Sequence, residues 1–272
     1  MELFCRELGE GFPVVILHGL YGSSDNWMSI GRELASTYRV MVIDQRNHGQ
    51  SPHSPNHSYD DLAVDLAELF ERKNLHKAIV VGHSMGGKVA MHFASLHQQK
   101  VQALVVADIL PWSYSNLANT NLGQEHQHAK ILSALMMLHP ELVSTRDELD
   151  VSLVTSIPSR AVRQFLLKNI KRDRDGKFHW QLNLEALSNN LPLLMGAVLP
   201  AGSSISIEIP TLFLKGQMSN YVYPEGELML ADHFKNYSIA SIPNAGHWLH
   251  AENPKAFIAE LNRFLEGILG EN

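Results

Sequence analysis

The segment VVGHSMGG, residues 80–87, places one serine between two glycines where an apolar run ends and a helical pattern begins. A nucleophilic serine projects from a sharp turn, and Gly82 and Gly86 leave room for it around Ser84. The pattern alone also fits a small residue in a tight turn. However, the apolar run before it is typical of a strand and residues 85–98 are typical of a helix, which is the context that a nucleophile requires. We therefore predict that Ser84 attacks a substrate.

A serine hydroxyl needs a general base within hydrogen-bond distance, because neutral serine is a poor nucleophile near pH 7. Among 15 histidines, His247 follows the last predicted strand and precedes the last predicted helix. This position places it at the same edge of a parallel sheet as Ser84. His250 lies at or beside the start of the helix. His83 adjoins the serine, but on so tight a turn its side chain points elsewhere. We predict His247 as the base.

A carboxylate should orient the imidazole and stabilise its charged form. The usual place is the turn after the penultimate strand, but residues 213–227 contain no aspartate, and Glu225 and Glu227 come late, in the next predicted helix. Asp108 instead ends the strand that follows the unit containing the serine. We predict Asp108 as the acid, which gives the order Ser, Asp, His. The alternative is that Asp108 caps the turn after it.

Two glycine-containing loops follow the first two strong strands. In LHGLYGS, residues 17–23, Gly19 allows close approach to a reacting carbonyl, so we predict that the N–H groups of Leu20 and Met85 form an oxyanion hole. His18 in this loop is expected to be structural. The loop at 44–54, DQRNHGQSPHS, is predicted to be scaffold. In it, we expect Asp44 to pair with Arg46.

Short β-branched runs alternate with helical segments along this 272-residue chain. The predicted strands are 13–19, 38–46, 77–83, 101–108, 209–216 and 237–247, and the predicted helices are 26–36, 59–73, 85–98 and 254–267. Most of these strands are apolar throughout, which indicates a mostly parallel central sheet covered by helices on both faces. The fold class is therefore α/β.

The alternation stops after Asp108. Residues 111–202 contain amphipathic helical stretches and no convincing strand, so we predict an inserted helical cap between two core segments, 1–110 and 203–272. The stretch TRDE, residues 145–148, predicts a capping box. Most apolar cap residues are expected to pack together, and some to line an apolar pocket.

The overall charge argues against several partners. A formal net charge of −6 at pH 7 disfavours nucleic acid and anionic membranes. Cys5 is the single cysteine, so no internal disulfide is possible, and the first residues lack the pattern of a signal peptide. No histidine pair has convincing zinc-site spacing with a third ligand. We expect a cytoplasmic protein without cofactor or metal, acting on a small molecule; its oligomeric state stays open.

Four motifs together resemble the α/β-hydrolase superfamily: HGLYG, DQRNHGQS, GHSMG and the late GHW. The stretches RNHGQSPH, GHSMGGK, ADILP and AGHWLHAENP are similar to the YbfF-type bacterial esterases. This resemblance covers nearly the whole chain and is least specific in the cap. It implies Ser84 as nucleophile, His247 as base, an acid after the family's sixth strand, here Asp108, and an oxyanion hole from the N–H groups of Leu20 and Met85.

The expected activity is hydrolysis of carboxylic esters with short to medium acyl chains through an acyl-serine intermediate. The same three residues would also serve a thioester hydrolase, a perhydrolase or a C–C bond hydrolase. A protein of this fold that only binds a small ligand is the alternative from another class.

Overall fold

The computed structural model describes residues 1–114, 124–200 and 202–270. Its strands, in chain order, are β1 (Cys5–Leu8), β2 (Phe12–Leu17), β3 (Tyr38–Ile43), β4 (Ala78–His83), β5 (Val101–Ala107), β6 (Ile170–Arg172), β7 (Phe178–Trp180), β8 (Thr211–Gly216) and β9 (Tyr237–Ile242). Seven of them form one sheet in the order β1-β3-β2-β4-β5-β8-β9. Only β1 runs antiparallel to its neighbour in this sheet.

The helices cover both faces of the sheet and make up much of the segment 111–202. They are α1 (Met28–Leu34), α2 (Tyr59–Arg72), α3 (Met85–Leu96), α4 (Gln124–Met136), α5 (Arg146–Leu153), α6 (Arg160–Leu167), α7 (Leu184–Asn189), α8 (Leu191–Met195), α9 (Pro224–Leu228), α10 (Leu230–His233), α11 (Leu249–Glu252) and α12 (Pro254–Leu269). No described helix is both long enough and apolar enough to cross a membrane.

Side chains alternate between the two faces of each central strand. Val80 of β4 faces the core cluster that contains α2 and α3, whereas Ile79 and Val81 face the cluster that contains α1 and α12. All three side chains are fully buried. Burial on both faces explains the apolar runs in the sequence and confirms the predicted α/β fold class.

The sequence analysis missed three strands. The edge strand β1 has the sequence CREL and is mostly half-exposed, so it lacks the apolar run of the central strands. Strands β6 and β7 form an antiparallel hairpin within residues 111–202. The prediction of an inserted helical segment did not include this hairpin, because each of its strands has only three residues and carries no clear periodicity.

The two ends of the segment predicted as a cap lie side by side. The N–H of Tyr114 donates to the carbonyl of Met195 at 3.0 Å, and the N–H of Val198 donates to the carbonyl of Pro111 at 2.8 Å. Within the segment, Thr145 caps α5, and Glu148 closes the capping box that the sequence predicts. The segment thus leaves and rejoins the core at one place, directly after β5 and before β8.

Candidate active site

Ser84 lies on the turn between β4 and α3, with a φ of 52°. A Cβ on Gly82 would lie 2.2 Å from the carbonyl oxygen of Gly86, and one on Gly86 would lie 2.4 Å from that of Leu17. Both contacts are with backbone and cannot relax easily. The two glycines are therefore required to hold the serine in its left-handed conformation at the end of the strand.

The structure brings together the three side chains that the sequence analysis selects. Nε2 of His247 lies 3.0 Å from Oγ of Ser84, and its Nδ1 lies 2.7 Å from Oδ2 of Asp108. The carboxylate is fully buried. Because an ionised carboxylate only accepts hydrogen bonds, Nδ1 carries the proton and Nε2 is left to accept one from the serine hydroxyl.

Asp108 is reached by donors from the neighbouring strand. Strand β5 pairs with β8 in parallel, so the residue after β5 lies beside the end of β8. The N–H of Gly216 donates to Oδ1 of Asp108 at 2.9 Å, and the hydroxyl of Ser219 donates to Oδ2. The turn after β8, which has no aspartate, thus supplies two donors to a carboxylate from elsewhere.

Tyr221 is a site residue that sequence reasoning missed. Its ring is stacked on the imidazole of His247, with centroids 3.8 Å apart and an interplanar angle of 17°. The residue lies in the turn after β8, which the sequence analysis examined only for carboxylates. No spacing rule marks an aromatic residue there, so only the folded chain shows the contact.

The loop that contains Leu20 lies against the serine turn. A Cβ on Gly19 would lie 3.1 Å from Cβ of Ser84, so glycine permits the close approach. Leu20 and Met85 are both buried beside the serine. Nε2 of His18 accepts from the N–H of Gln45 at 3.0 Å, and burial lowers the pKa of this imidazole. The structural role predicted for His18 agrees with these contacts.

The expected pair between Asp44 and Arg46 is wrong. The guanidinium of Arg46 points towards α2, where its Nε lies 2.6 Å from Oδ2 of Asp65. Asp44 instead accepts from the backbone N–H groups of Ser24 at 2.5 Å and Gln50 at 2.8 Å. The two side chains point in different directions. The carboxylate of Asp44 accepts hydrogen bonds from backbone N–H groups, whereas the guanidinium of Arg46 anchors the loop to α2. Both contacts still fit the scaffold role predicted for the loop.

The other histidines considered as bases have structural partners. His83 donates from Nε2 to the backbone carbonyl of His247 at 2.8 Å, and burial lowers its pKa well below the ordinary value. His250 stacks on Trp27 with ring centroids 4.1 Å apart, and burial lowers its pKa to about 3. Among the described residues no group of three His, Cys, Asp or Glu side chains is arranged to hold a metal ion.

A pocket of about 240 Å³ opens beside Ser84 and His247. Its walls come from the central sheet and its loops and from helices α4 and α6 of the segment 111–202, and they are mainly apolar. The apolar and aromatic lining residues include Trp27, Ile131, Val162, Phe165 and Trp248. Such a pocket suits a small apolar molecule presented to the serine.

A family model described as the alpha/beta hydrolase fold matches residues 13–254 of the sequence. The chain belongs to the α/β-hydrolase family. In this α/β-hydrolase, the model's match begins within β2 and ends at the first residue of α12, so it includes Ser84, Asp108 and His247.

Three similar proteins illustrate the relationship. The sn-1-specific diacylglycerol lipase ABHD11 of Danio rerio is 39% identical over 267 residues, which cover 95% of this α/β-hydrolase and 80% of the relative. Esterase YbfF of Escherichia coli (strain K12) is 32% identical over 254 residues, covering 93% and 92%. A solved structure described as a marine microorganism esterase has a TM-score of 0.90 at 42% identity, covering 97% and 99%. The predicted resemblance to the YbfF-type esterases is confirmed.

Proposed function

We propose that this protein hydrolyses carboxylic esters by two-step acyl transfer through Ser84. The chain is a carboxylesterase-like hydrolase, and the relatives named above are esterases and a lipase. The observation that carries the serine mechanism is the continuous chain of contacts from the hydroxyl of Ser84 through His247 to Asp108.

In the first step, Nε2 of His247 takes the proton of Ser84 as Oγ attacks the ester carbonyl. The imidazole becomes positively charged between the tyrosine ring at 221 and the carboxylate of Asp108. Both neighbours stabilise that charge, the carboxylate by Coulomb attraction and the ring by its quadrupole. The proton then passes to the leaving alcohol oxygen, and the acyl group remains on the serine.

The oxygen of the attacked carbonyl acquires negative charge as the tetrahedral intermediate forms. In the proposal, the backbone N–H groups of Leu20 and Met85 donate to it, since both residues adjoin Ser84 and Met85 is the first residue of α3. In the second step, water replaces the alcohol, and His247 again acts first as base and then as acid. The acyl groups proposed are short to medium in length. The protein acts on a small molecule in the cytoplasm.

A fluorophosphonate probe tests the nucleophile. We expect it to label the wild-type protein at Ser84, as located by mass spectrometry, and to leave Ser84→Ala unlabelled. The exposed Ser241 provides a matched control, since Ser241→Ala should be labelled normally. An unlabelled wild-type protein would contradict the mechanism and favour a protein that only binds its ligand. Hydrolysis of p-nitrophenyl acetate at the wild-type rate by Ser84→Ala would contradict it by showing that Ser84 is not the nucleophile.

A further inference from the structure

Two pockets of very different size meet at Ser84. The large one, described above, has a volume of about 240 Å³. The small one has a volume of about 20 Å³, which is room for little more than a water-sized or methyl-sized group. Ser84, Leu20, His128 and Tyr221 line both pockets. An ester whose carbonyl carbon lies at the serine must therefore place its two arms in unequal spaces.

The position of His247 decides which arm enters which pocket. The protonated imidazole must give its proton to the oxygen of the leaving alcohol, so that oxygen has to lie within hydrogen-bond distance of Nε2. His247 lines the large pocket and is not among the described residues that line the small one. The small pocket is lined by Leu20 and Met85, whose N–H groups form the proposed oxyanion hole, and by Tyr221, whose ring stacks on the imidazole of His247. The alcohol thus belongs in the large pocket and the acyl chain in the small one.

Hydrogen bonds hold the walls of the small pocket in place. Nζ of Lys88, which is fully buried, donates to the carbonyls of Trp112 at 2.9 Å and Gly196 at 2.5 Å. The hydroxyl of Tyr59 donates to the carbonyl of Leu194 at 2.8 Å. Widening the pocket by moving either side chain would leave buried carbonyl groups without a partner, which costs free energy. The walls formed by Lys88 and Tyr59 therefore resist widening around a longer acyl chain.

The large pocket has the opposite character. It is more than tenfold larger, and its walls include the rings of Trp27, Phe165 and Trp248. An aliphatic or aromatic alcohol of several carbons would bury its apolar surface against them. The inference drawn from these observations rests on the serine mechanism proposed above. From them we infer that the substrates are esters of very short acyl groups, above all acetyl, with larger apolar alcohols.

Octyl acetate and ethyl octanoate test this orientation, because they are isomers that differ only in the position of the ester group. We expect kcat/KM for octyl acetate to exceed that for ethyl octanoate by at least roughly tenfold, because forcing extra methylenes into a packed site is costly. Equal rates, or faster hydrolysis of ethyl octanoate, would overturn the inference and leave the serine mechanism intact.

Probe labelling distinguishes two explanations for the case in which neither ester is hydrolysed. If neither isomer is hydrolysed while the fluorophosphonate still labels Ser84, the mechanism stands and the substrate inference is overturned. If neither is hydrolysed and the probe does not react, the proposed function is overturned together with the inference.

Variants of the small pocket provide a second test. Met195→Ala and Ile109→Ala each remove side-chain volume from residues that line it. We expect either variant to raise the ratio of p-nitrophenyl butyrate to p-nitrophenyl acetate hydrolysis by roughly tenfold, since the longer acyl chain gains the missing space. Phe165→Ala, which enlarges the other pocket, is the control and should leave this ratio unchanged. An unchanged ratio in both folded small-pocket variants, checked by circular dichroism, would overturn the inference.

Discussion

The hydroxyl of Ser219 donates a hydrogen bond to Oδ2 of Asp108, the same oxygen that faces Nδ1 of His247. Ser219 lies in the turn after β8, where the sequence analysis expects a carboxylate and finds none. The turn therefore still contributes to the candidate site, as a hydrogen-bond donor to the proposed acid rather than as the acid itself. This arrangement depends on the parallel pairing of β5 with β8, which places Asp108 and Gly216 side by side.

Asp108→Asn should lower kcat for ester hydrolysis by on the order of 10⁴, because the amide cannot hold the imidazole in the correct tautomer or stabilise its charge. Initial rates with p-nitrophenyl acetate measure the effect. The exposed Glu225 provides a control, since Glu225→Gln should keep wild-type activity. Full activity of the asparagine variant together with loss of activity in Glu225→Gln would move the acid to the glutamate.

Ser219→Ala should reduce kcat by about tenfold, because one hydrogen bond to a charged group is lost while the carboxylate stays buried. The expected loss is smaller than for Asp108→Asn, since the N–H of Gly216 still donates to Oδ1. Steady-state kinetics of the two variants measure the ranking. Ser241→Ala, at an exposed position, should have no effect. Wild-type kinetics for Ser219→Ala would show that the hydroxyl does not support the acid.

Tyr221→Leu should lower kcat/KM by roughly tenfold, because the imidazolium loses an aromatic face against which its charge is stabilised. Tyr221→Phe retains the ring and should stay within about twofold of wild type. The pH profile of kcat/KM distinguishes stacking from simple packing, since loss of the ring should also shift the profile. Equal activity of the leucine and phenylalanine variants would exclude a role for the stacked ring.

Lys88 should make the stability of the protein depend on pH. Burial lowers the pKa of its ammonium from an ordinary 10.5 to about 7. Between these two values the unfolded chain binds a proton that the folded chain has released, so the free energy of unfolding rises with pH across this window. Lys88 contributes at most about 1.4 kcal/mol per pH unit to this rise in the free energy of unfolding, and it contributes no pH dependence below pH 7.

Denaturant unfolding at pH 7 and pH 9.5 checks this dependence. The wild-type protein should gain stability over that interval relative to Lys88→Met, in which the titrating group is gone. Lys177→Met, in the exposed turn between β6 and β7, is the control and should follow the wild type. Parallel curves for wild type and Lys88→Met would show that the lysine does not titrate in this range.

The pattern of short apolar strands and amphipathic helices was sufficient to predict most of the core sheet. The turn at Ser84 was equally predictable from the sequence, since the glycines that it requires lie two residues away on either side. The strand–turn–helix geometry depends on steric contacts between near neighbours in the chain. A short sequence window is therefore sufficient to predict it. The edge strand β1 and the β6–β7 hairpin escaped because short, half-exposed strands lack that periodicity.

The sequence by itself determined the fold class, the sharp turn at Ser84 and the choice of three residues for the proposed proton relay. Only the tertiary structure decided that Ser219 supports Asp108, that Tyr221 stacks on His247 and that Lys88 lines a very small pocket. The physical reason is the separation along the sequence between the residues in contact. Strand and turn preferences come from adjacent residues, whereas these contacts join segments far apart in the chain. Their geometry follows from the strand order and from where the segment 111–202 packs against the rest of the chain.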